Sequence, residues 1–229
     1  MRRSKTPSRR FEDSHTDDVT QVRFHPEVSK VMLSGATDGL VNYYDLAKVR
    51  GTMNTESSVG HIGFCGGGGG GDEKGAKYIY ALTHIDTLHV WEAVEDFEDV
   101  ASVTDIREKY AQEGVDYLVG CVRCDWLKSD HVCFLAGSRS GQGRIMSLQG
   151  NELKCEYIMN DGHRDVIRSA TWFGGSEAAM VTGGEDGMLC GWSEKEVKKV
   201  ESPVKDKRKS QSELKSKVKH KVRGSTKPF

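Results

Sequence analysis

The sequence predicts an all-β fold made of repeated antiparallel sheets, and three observations support this prediction. A segment of about thirty residues occurs twice, 148 residues apart. Two weaker copies of the same pattern lie between these segments. Every copy contains short runs rich in Val, Ile, Tyr, Phe and Trp, which are bounded by turns that contain Gly and Asp. Such runs have the composition of strands, and several of them fit within each repeating unit.

The first and last copies match at eight positions without a gap. The first copy begins at His15 and the last at His163. The matching pairs are His15 and His163, Asp17 and Asp165, Phe24 and Trp172, Ser34 and Thr182, Gly35 and Gly183, Asp38 and Asp186, Gly39 and Gly187, and Tyr44 and Trp192. Eight ungapped matches indicate a repeated structural unit rather than a chance similarity.

The two middle copies keep the strand pattern but lose part of the shared residues. The second copy retains Asp86 in its turn and Trp91 at a strand end, whereas the third copy has lost both the turn Asp and the terminal Trp. Between these copies, Asp105 and Glu108 fit the capping box of a short helix, and a strand is the alternative interpretation. The middle of the chain therefore continues the repeat in a weaker form.

A repeat of about 40–45 residues, with a His near its start and an aromatic residue near its end, resembles the WD repeat of the β-propeller family. The resemblance covers roughly residues 11–195 and implies an all-β propeller segment of about four blades, at about 11–50, 51–100, 101–158 and 159–195. Because WD-repeat propellers usually close a ring of about seven blades, this segment implies an incomplete ring.

Three explanations of the incomplete ring are open. The sequence is a truncated or fragmentary form, a short protein that completes its ring with another chain, or a self-closed ring of four blades. We favour the truncated form because residues 1–10 resemble no strand that could seal a ring.

The resemblance also implies a structural relay of hydrogen bonds within a blade. In this relay a turn Asp, a loop His, a strand hydroxyl and a terminal aromatic residue are joined in that order. The members are His15, Ser34, Asp38 and Tyr44 in the first blade and His163, Thr182, Asp186 and Trp192 in the fourth blade. We expect this relay to stabilise the blade, and not to serve as an acid–base pair.

The WD-repeat resemblance further implies a non-enzymatic scaffold that mediates protein–protein interactions. In the family, the loop before the first strand and the turn that carries the Asp lie on one face of the propeller. The candidate partner-binding residues on that face are Asp17, Asp18, Gln21, Arg164, Asp165 and Arg168. Because residues 11–194 carry a net charge of −15, we expect the surface of the protein partner to be basic.

Both ends of the chain are basic, and we predict that residues 1–10 and 196–229 are disordered. The candidate nuclear-import cluster consists of Lys205, Lys207, Arg208, Lys209, Lys215, Lys217, Lys219, Lys221 and Arg223. A solvated tail, nuclear import and direct contact with RNA or DNA are the alternatives. The last alternative defines a second candidate function, that of a nuclear RNA-associated factor that uses its basic tail.

No sequence motif supports an enzyme, a metal site or a cofactor. The glycine run at 66–71 lacks the Lys-Ser/Thr pair of a phosphate-binding loop, and we interpret it as a hairpin loop. Cys121, Cys124, His131 and Cys133 fit no common zinc spacing, and Cys121 and Cys124 would point to opposite faces of one strand. We therefore expect buried or half-buried thiols, no catalytic residues, no bound metal or cofactor and no small-molecule substrate.

Hydropathy indicates neither a membrane anchor nor a secretion signal. No run approaches the ~18–20 apolar residues that a membrane-spanning helix needs. No apolar segment follows the basic start of the chain, as it would in a signal peptide. We expect a protein of the nucleus, the cytoplasm or both, without membrane contact.

Overall fold

The computed structural model describes residues 10–45, 48–66, 76–94, 96–124, 126–127, 131–173 and 179–200. Predictions for the basic start of the chain, for most of the glycine run and for the tail from residue 201 lie outside the described residues. All nine candidate nuclear-import residues belong to that tail.

The strands form antiparallel sheets in chain order, which we call blades 1 to 4. Blade 1 contains β1 (Val19–Phe24), β2 (Val31–Ala36), β3 (Leu40–Asp45) and β4 (Lys48–Asn54). Blade 2 contains β5 (Val59–Cys65), β6 (Tyr78–Thr83), β7 (Leu88–Glu92) and β8 (Asp99–Val103). Blade 3 contains β9 (Tyr117–Val122), β10 (Cys133–Gly137), β11 (Gly143–Gln149) and β12 (Glu152–Met159). Blade 4 contains β13 (Ile167–Phe173), β14 (Ala179–Gly184) and β15 (Leu189–Ser193). These four blades in a propeller arrangement confirm the predicted all-β fold class.

Within each blade, consecutive strands pair from the inner strand, which comes first, to the outer strand. The inner strands of successive blades also contact one another. Each inner strand has an irregular register near its start, where a β-bulge redirects a side chain. In β1, the hydroxyl of Thr20 donates to the carbonyls of Gly35 and Val59, at 3.0 and 2.8 Å. The bulge therefore ties blade 1 to blade 2.

Apolar clusters between successive blades hold the arc of blades together. Successive side chains of a strand point to opposite faces, so a middle blade contributes to the cluster on each side of it. Fully buried members are Leu33, Val41, Ile62 and Ile79 between blades 1 and 2, Leu88, Phe134 and Met146 between blades 2 and 3, and Leu135, Ile145 and Met180 between blades 3 and 4. Each such side chain contributes roughly 1.5–3 kcal/mol relative to an exposed position.

The segment that follows blade 4 is ordered up to Lys199, whereas the sequence predicted a disordered tail from residue 196. Residues Lys198–Lys199 form β16, which pairs with the outer strand β12 of blade 3. The side chain of Val197 is buried in the cluster between blades 3 and 4. Because this apolar residue is buried, the chain returns to blade 3 before the tail begins. Within the described residues, blade 4 has three strands.

A short helix, α1 (Ile106–Lys109), connects blades 2 and 3. It begins after Asp105, but Asp105 has a φ of 54° and makes no side-chain hydrogen bond to the helix end, so the capping-box interpretation is wrong. Burial of Ile106 against both neighbouring blades holds the helix instead. In the part of the chain that the structure describes, no helix is long and apolar enough to cross a bilayer.

Candidate functional site

A chain of buried hydrogen bonds crosses blade 4. Nδ1 of His163 lies 3.1 Å from each carboxylate oxygen of Asp186, and its Nε2 lies 2.8 Å from Oγ1 of Thr182. The indole N–H of Trp192 donates to the same Thr182 oxygen over 2.9 Å. Because an ionised carboxylate can only accept, Nδ1 of His163 donates to Asp186. The Thr182 oxygen accepts the indole N–H, which leaves its own hydroxyl proton to be directed at Nε2. The structure thus brings together the four side chains expected in this relay.

The equivalent hydrogen bonds in blade 1 use tyrosine in place of tryptophan. Nδ1 of His15 lies 3.1 and 3.3 Å from the two carboxylate oxygens of Asp38. Nε2 of His15 lies 2.6 Å from Oγ of Ser34, which lies 2.9 Å from the Tyr44 hydroxyl. Phe11 packs edge-on against Tyr44, with the ring centroids 4.9 Å apart. The segment that precedes His15 therefore covers the outer part of this face of blade 1.

Sequence reasoning missed Asn42, which joins the blade 1 relay from β3. Its amide nitrogen donates to the Ser14 carbonyl and lies 3.2 Å from Nε2 of His15. Its amide oxygen accepts from the Thr52 hydroxyl over 2.6 Å. The available sequence signal was an asparagine inside an apolar and aromatic strand, where asparagine is disfavoured unless it has a partner.

The relay carboxylate of blade 4 also fastens the backbone of two loops. The N–H groups of Arg164 and Met188 donate to Asp186 over 2.9 and 3.0 Å. The hydrogen bond from Arg164 is the largest cause that lowers the pKa of Asp186 to about 2, and the bonds from Met188 and His163 add to it. Asp186 is therefore ionised at neutral pH and joins the loop before β13 to the turn before β15.

Asp38 has the same surroundings in blade 1. Burial opposes its ionisation, but backbone hydrogen bonds from Leu40 and Thr16, together with His15, hold the pKa of Asp38 below its ordinary value. The two bonds measure 3.0 and 2.9 Å, as in blade 4. The Thr16 and Leu40 amides correspond to those of Arg164 and Met188 after the shift of 148 residues.

The relay histidine of blade 4 exposes neither of its ring nitrogens. The side chain of His163 is fully buried, and both of its ring nitrogens have hydrogen-bond partners. A substrate therefore has no direct access to either nitrogen. What the arrangement can do is hold the loop that follows His163 in one position.

The loops that follow the relay histidines carry exposed charges. Asp17 and Asp18 are exposed in blade 1, and Arg164 and Asp165 are exposed in blade 4. The carboxylates of Asp17 and Asp165 each accept the N–H of the next residue, at 2.8 and 2.7 Å. Within the described residues, Asp17 and Asp18 take part in no ion pair. We call the surface formed by these four residues the loop face.

Backbone hydrogen bonds connect the loop face to the neighbouring turns. The Thr37 N–H donates to the carbonyl of Asp18 over 2.9 Å. The Glu185 N–H donates to the carbonyl of Val166 over the same distance, at the equivalent position of blade 4. The loop and the turn of each blade are thus hydrogen-bonded to each other.

The other two candidate binding residues already have partners. The amide oxygen of Gln21 accepts the N–H of Ile62 over 2.7 Å, which joins blade 1 to blade 2. The guanidinium of Arg168 donates to Glu185 from Nε over 2.7 Å. Gln21 therefore supports the packing of the blades, and Arg168 presents a neutralised pair at the surface.

A cavity of about 420 Å³ opens beside the loop face between blades 3 and 4. Its lining is polar and consists of Ser140, Gln142, Asp161, His163 and Arg164. A lining of this kind offers hydrogen-bonding groups and little apolar surface.

The sequence of this chain is similar to those of known WD repeat-containing proteins. The chain is 28% identical to a WD repeat-containing protein 89 homolog of Dictyostelium discoideum over 83% of its length, and that alignment spans 53% of the relative. It is 32% identical to the WD repeat-containing protein GTS1 of Arabidopsis thaliana over 81% of its length, which spans 50% of that relative. The chain spans about half the length of these curated relatives.

A solved structure agrees with these relatives. A chain in the crystal structure of the mitotic checkpoint complex matches with a TM-score of 0.56 at 14% identity, over 78% of this chain and 51% of that chain. The sequence of this chain is similar to those of WD-repeat proteins, and its four sheets share the fold of that solved structure. No protein-family model matches the sequence.

Blade 2 has a different polar network in place of the relay. The hydroxyls of Thr83 and Thr87 lie 2.6 Å apart, and the Thr87 hydroxyl lies 3.3 Å from Nε2 of His89. The His89 ring stacks on Trp91 with the centroids 5.7 Å apart. Burial lowers the pKa of His89, which favours the neutral ring in this stack.

Two free cysteines of blade 3, Cys121 and Cys133, form hydrogen bonds with the thiols of different cysteines. The pKa of Cys121 is raised well above its ordinary value. The larger cause is a hydrogen bond with Cys65 of blade 2, and burial adds to it. The pKa of Cys133 is also raised, mainly by a hydrogen bond with Cys124 and further by burial. Thiols with raised pKa values are poor nucleophiles and poor metal ligands at neutral pH. Across the described residues, no group of three or more His, Cys, Asp or Glu side chains is placed to hold a metal ion.

Proposed function

We propose that this chain is a non-enzymatic scaffold that binds protein partners through the loop face of blades 1 and 4. The observation that carries this proposal is the combination of exposed, unpaired charges at Asp17 and Asp18 with a buried relay that fixes their loop. A fixed loop loses little conformational entropy when a partner binds to it. The WD-repeat relatives, and the occurrence of a similar fold in the mitotic checkpoint complex, support a role in protein assemblies.

The charge of the blades indicates the kind of protein that fits the loop face. Residues 11–194 carry a net charge of −15, and Asp17 and Asp18 contribute to it from exposed positions. Arg168 is neutralised by Glu185, so its charge offsets little of this potential. We therefore propose a partner whose contact surface is rich in Lys and Arg.

Affinity capture from cells tests this proposal. The tagged chain is compared with the double variant Asp17→Lys and Asp18→Lys, and bound proteins are quantified at low and moderate salt. We expect the variant to lose partners that the wild-type chain retains, and we expect salt to weaken the wild-type interaction. The matched control is Glu98→Lys with Glu152→Lys, which makes the same change in charge at exposed positions near outer strands. Equal capture by all three proteins would exclude the loop face.

The scaffold proposal does not depend on the length of the natural protein. The chain spans about half of its curated relatives, and a longer ring would carry the same loop face. The truncated or fragmentary form stays a prediction. It predicts an endogenous band near ~35–42 kDa for a ring of about seven repeats, whereas a band at 25.4 kDa would contradict it.

A second candidate function, that of a nuclear RNA-associated factor, rests on the lysine-rich sequence of the tail. The tail residues Lys205 to Arg223 lie outside the described residues. The hypothesis predicts binding to RNA that falls steeply with salt and disappears when residues 201–229 are removed. A fluorescent protein fused to the same tail should accumulate in the nucleus if the cluster acts in import. Partner binding that persists at high salt without the tail favours the scaffold.

A further inference from the structure

One position on the third strand of a blade links that strand to the loop before the inner strand. In blade 1 this residue is Asn42, whose amide nitrogen donates to the carbonyl of Ser14. In blade 4 the equivalent residue is Cys190, whose thiol donates to the carbonyl of Gly162 over 3.2 Å. The position therefore holds an uncharged donor in both of these blades.

Blade 3 has an arginine at the same position. Arg144 comes three residues after Gly141, a glycine with a positive φ, just as Asn42 comes three residues after Gly39. Nη1 of Arg144 donates to the carbonyl of Gly114 over 3.0 Å, so the link to the loop is kept. Arg144 is only 8% exposed, and it therefore brings a positive charge into the blade.

This positive charge has no carboxylate partner in the part of the chain that the structure describes. The hydrogen-bond acceptors of Arg144 are a backbone carbonyl and a side-chain amide, which are both neutral. The turn of blade 3 also lacks the relay carboxylate, because Ser140 stands where blades 1 and 4 have Asp38 and Asp186. Since buried charges in proteins are normally paired, blade 3 has a cation without its anion.

The side chain of Gln142 connects Arg144 to the cavity beside the loop face. Its amide oxygen accepts from Nη2 of Arg144 over 3.3 Å. Because a guanidinium can only donate, the amide oxygen and not the amide nitrogen faces Arg144. The N–H groups of this amide are thus directed away from Arg144, and Gln142 lines the cavity of about 420 Å³. Within the described residues these N–H groups make no hydrogen bond.

Arg164 lines the same cavity from blade 4. Its backbone N–H is fixed by the hydrogen bond to Asp186, and the residue is exposed. Among the described residues, its guanidinium takes part in no ion pair. Asp161 is the one carboxylate in the lining that the structure describes. The guanidinium groups of Arg144 and Arg164 therefore outnumber the carboxylates at this cavity, and both of its walls belong to described blades.

We propose that this cavity binds the carboxylate of an Asp or Glu side chain of the protein partner. Arg164 supplies a positive charge and N–H donors, and the amide of Gln142 supplies a further donor. Arg144 acts as a positioning residue, because it holds that amide with its N–H groups outward. A carboxylate has a single negative charge, which suits the small excess of positive charge better than a phosphate group does. This inference rests on the proposed function, since it names a second contact of the same partner.

NMR titration of the full chain tests the site without a captured partner. The probe is the peptide acetyl-Gly-Glu-Gly-amide, and acetyl-Gly-Gln-Gly-amide is the uncharged control of nearly the same size. We expect the Glu peptide to shift the side-chain N–H signals of Gln142 and Arg164 until the site is saturated. The Gln peptide should shift them much less. Inorganic phosphate, titrated in parallel, should bind more weakly than the Glu peptide.

Variants of the cavity lining assign the contact to particular residues. Arg164→Gln should weaken binding of the Glu peptide about two- to fivefold, the range of an exposed ion pair. Asp161→Asn should strengthen binding, because it removes a carboxylate that repels the probe. Lys48→Gln is the control, since it removes a positive charge from the exposed outer strand β4 and should bind as the wild type does.

A separate variant tests the positioning role of Arg144. Arg144→Asn introduces the residue type that blade 1 has at this position, and thermal unfolding checks that the chain is folded. In this variant the Gln142 amide is no longer held. We therefore expect the probe to shift the Arg164 signal but not the Gln142 signal. A Gln142 shift equal to that in the wild type would contradict the positioning role.

Three results would overturn the carboxylate site. The first is equal binding of the Glu and Gln peptides, and the second is wild-type affinity in Arg164→Gln. The third is phosphate binding that is tighter than that of the Glu peptide. Because the titration needs no captured partner, this site can fail while capture through Asp17 and Asp18 succeeds, and the reverse outcome is equally visible.

Discussion

At the scale of single residues, each relay histidine has partners at both ring nitrogens, so its removal breaks two buried hydrogen-bond links at once. In blade 4, His163→Ala takes one partner from Asp186, which keeps its backbone N–H donors, and one from Thr182, which keeps Trp192. We expect the free energy of unfolding to fall by about 1–3 kcal/mol, as measured by urea denaturation. His131→Ala, at an exposed position, is the control and should change little. An unchanged midpoint for His163→Ala would show that the relay does not stabilise the blade.

The low pKa of Asp186 makes the stability of blade 4 dependent on pH. Because the pKa is about 2 in the folded chain and near 3.8 ordinarily, the ionised form stabilises the folded state above pH 4. This contribution is lost as the pH falls from about 4 to about 2. Asp186→Asn should therefore be less stable than wild type at pH 6, and the difference should shrink below pH 4.

Denaturation of both proteins at several pH values measures this difference. Asp38→Asn should show a change in the same direction, since the pKa of Asp38 is also lowered. A difference between wild type and Asp186→Asn that stays constant from pH 6 to pH 2 would contradict the assignment of the charge to Asp186.

The repeat spacing located eight side chains that the structure brings together in two relays. Spacing could do so because a hydrogen-bonded relay demands particular residue types at fixed positions along the strands. It could not reveal the amides of Thr16 and Arg164, since every residue supplies such a donor whatever its side chain. Nor could it assign the network of Thr83, Thr87 and His89, where blade 2 has replaced the relay residues.

At the scale of secondary-structure elements, the turns between strands decide how closely the blades approach. Gly141 has a φ of 85°, and a Cβ at this position would lie 2.4 Å from the carbonyl oxygen of His163. The turn before β11 therefore rests directly on the loop that leads into blade 4. Only a glycine allows both the positive φ and this distance.

Two alanine variants separate the cost of a positive φ from the cost of the close approach to His163. Gly150 also has a positive φ, of 61°, but a Cβ at this position would meet no atom within 4 Å. We expect Gly150→Ala to cost about 1–2 kcal/mol, the penalty of left-handed backbone alone. Gly141→Ala should cost more, because the loop before blade 4 must also shift. Equal unfolding temperatures for the two variants would show that the turn and the loop are not in contact.

The element boundaries show where the sequence was informative. Short strands rich in apolar and aromatic residues and bounded by a glycine turn were predictable from local composition, as in β2 and β3. The return of β16 to blade 3 was not, because it depends on one buried valine, Val197, in a highly charged stretch. The helix α1 was one of the two interpretations of its segment, but for the wrong reason, since burial of Ile106 and not a capping motif holds it.

At the scale of the whole molecule, four blades form an arc in which buried contacts and exposed charges are separated. The apolar clusters lie between the blades, and the relays hold the loop face above them. The fold class could be predicted from the repeat because each blade is a local unit that packs on its neighbours.

The most direct test of partner binding by the loop face is hydrogen–deuterium exchange of the tagged chain, alone and in complex with a captured partner. We expect slower exchange on binding in the loops at 16–18 and 164–166 and in the turns that contact them. We expect no change in the outer strands β4 and β8. Protection confined to those outer strands, with the loops unchanged, would contradict the claim that the loop face binds the partner.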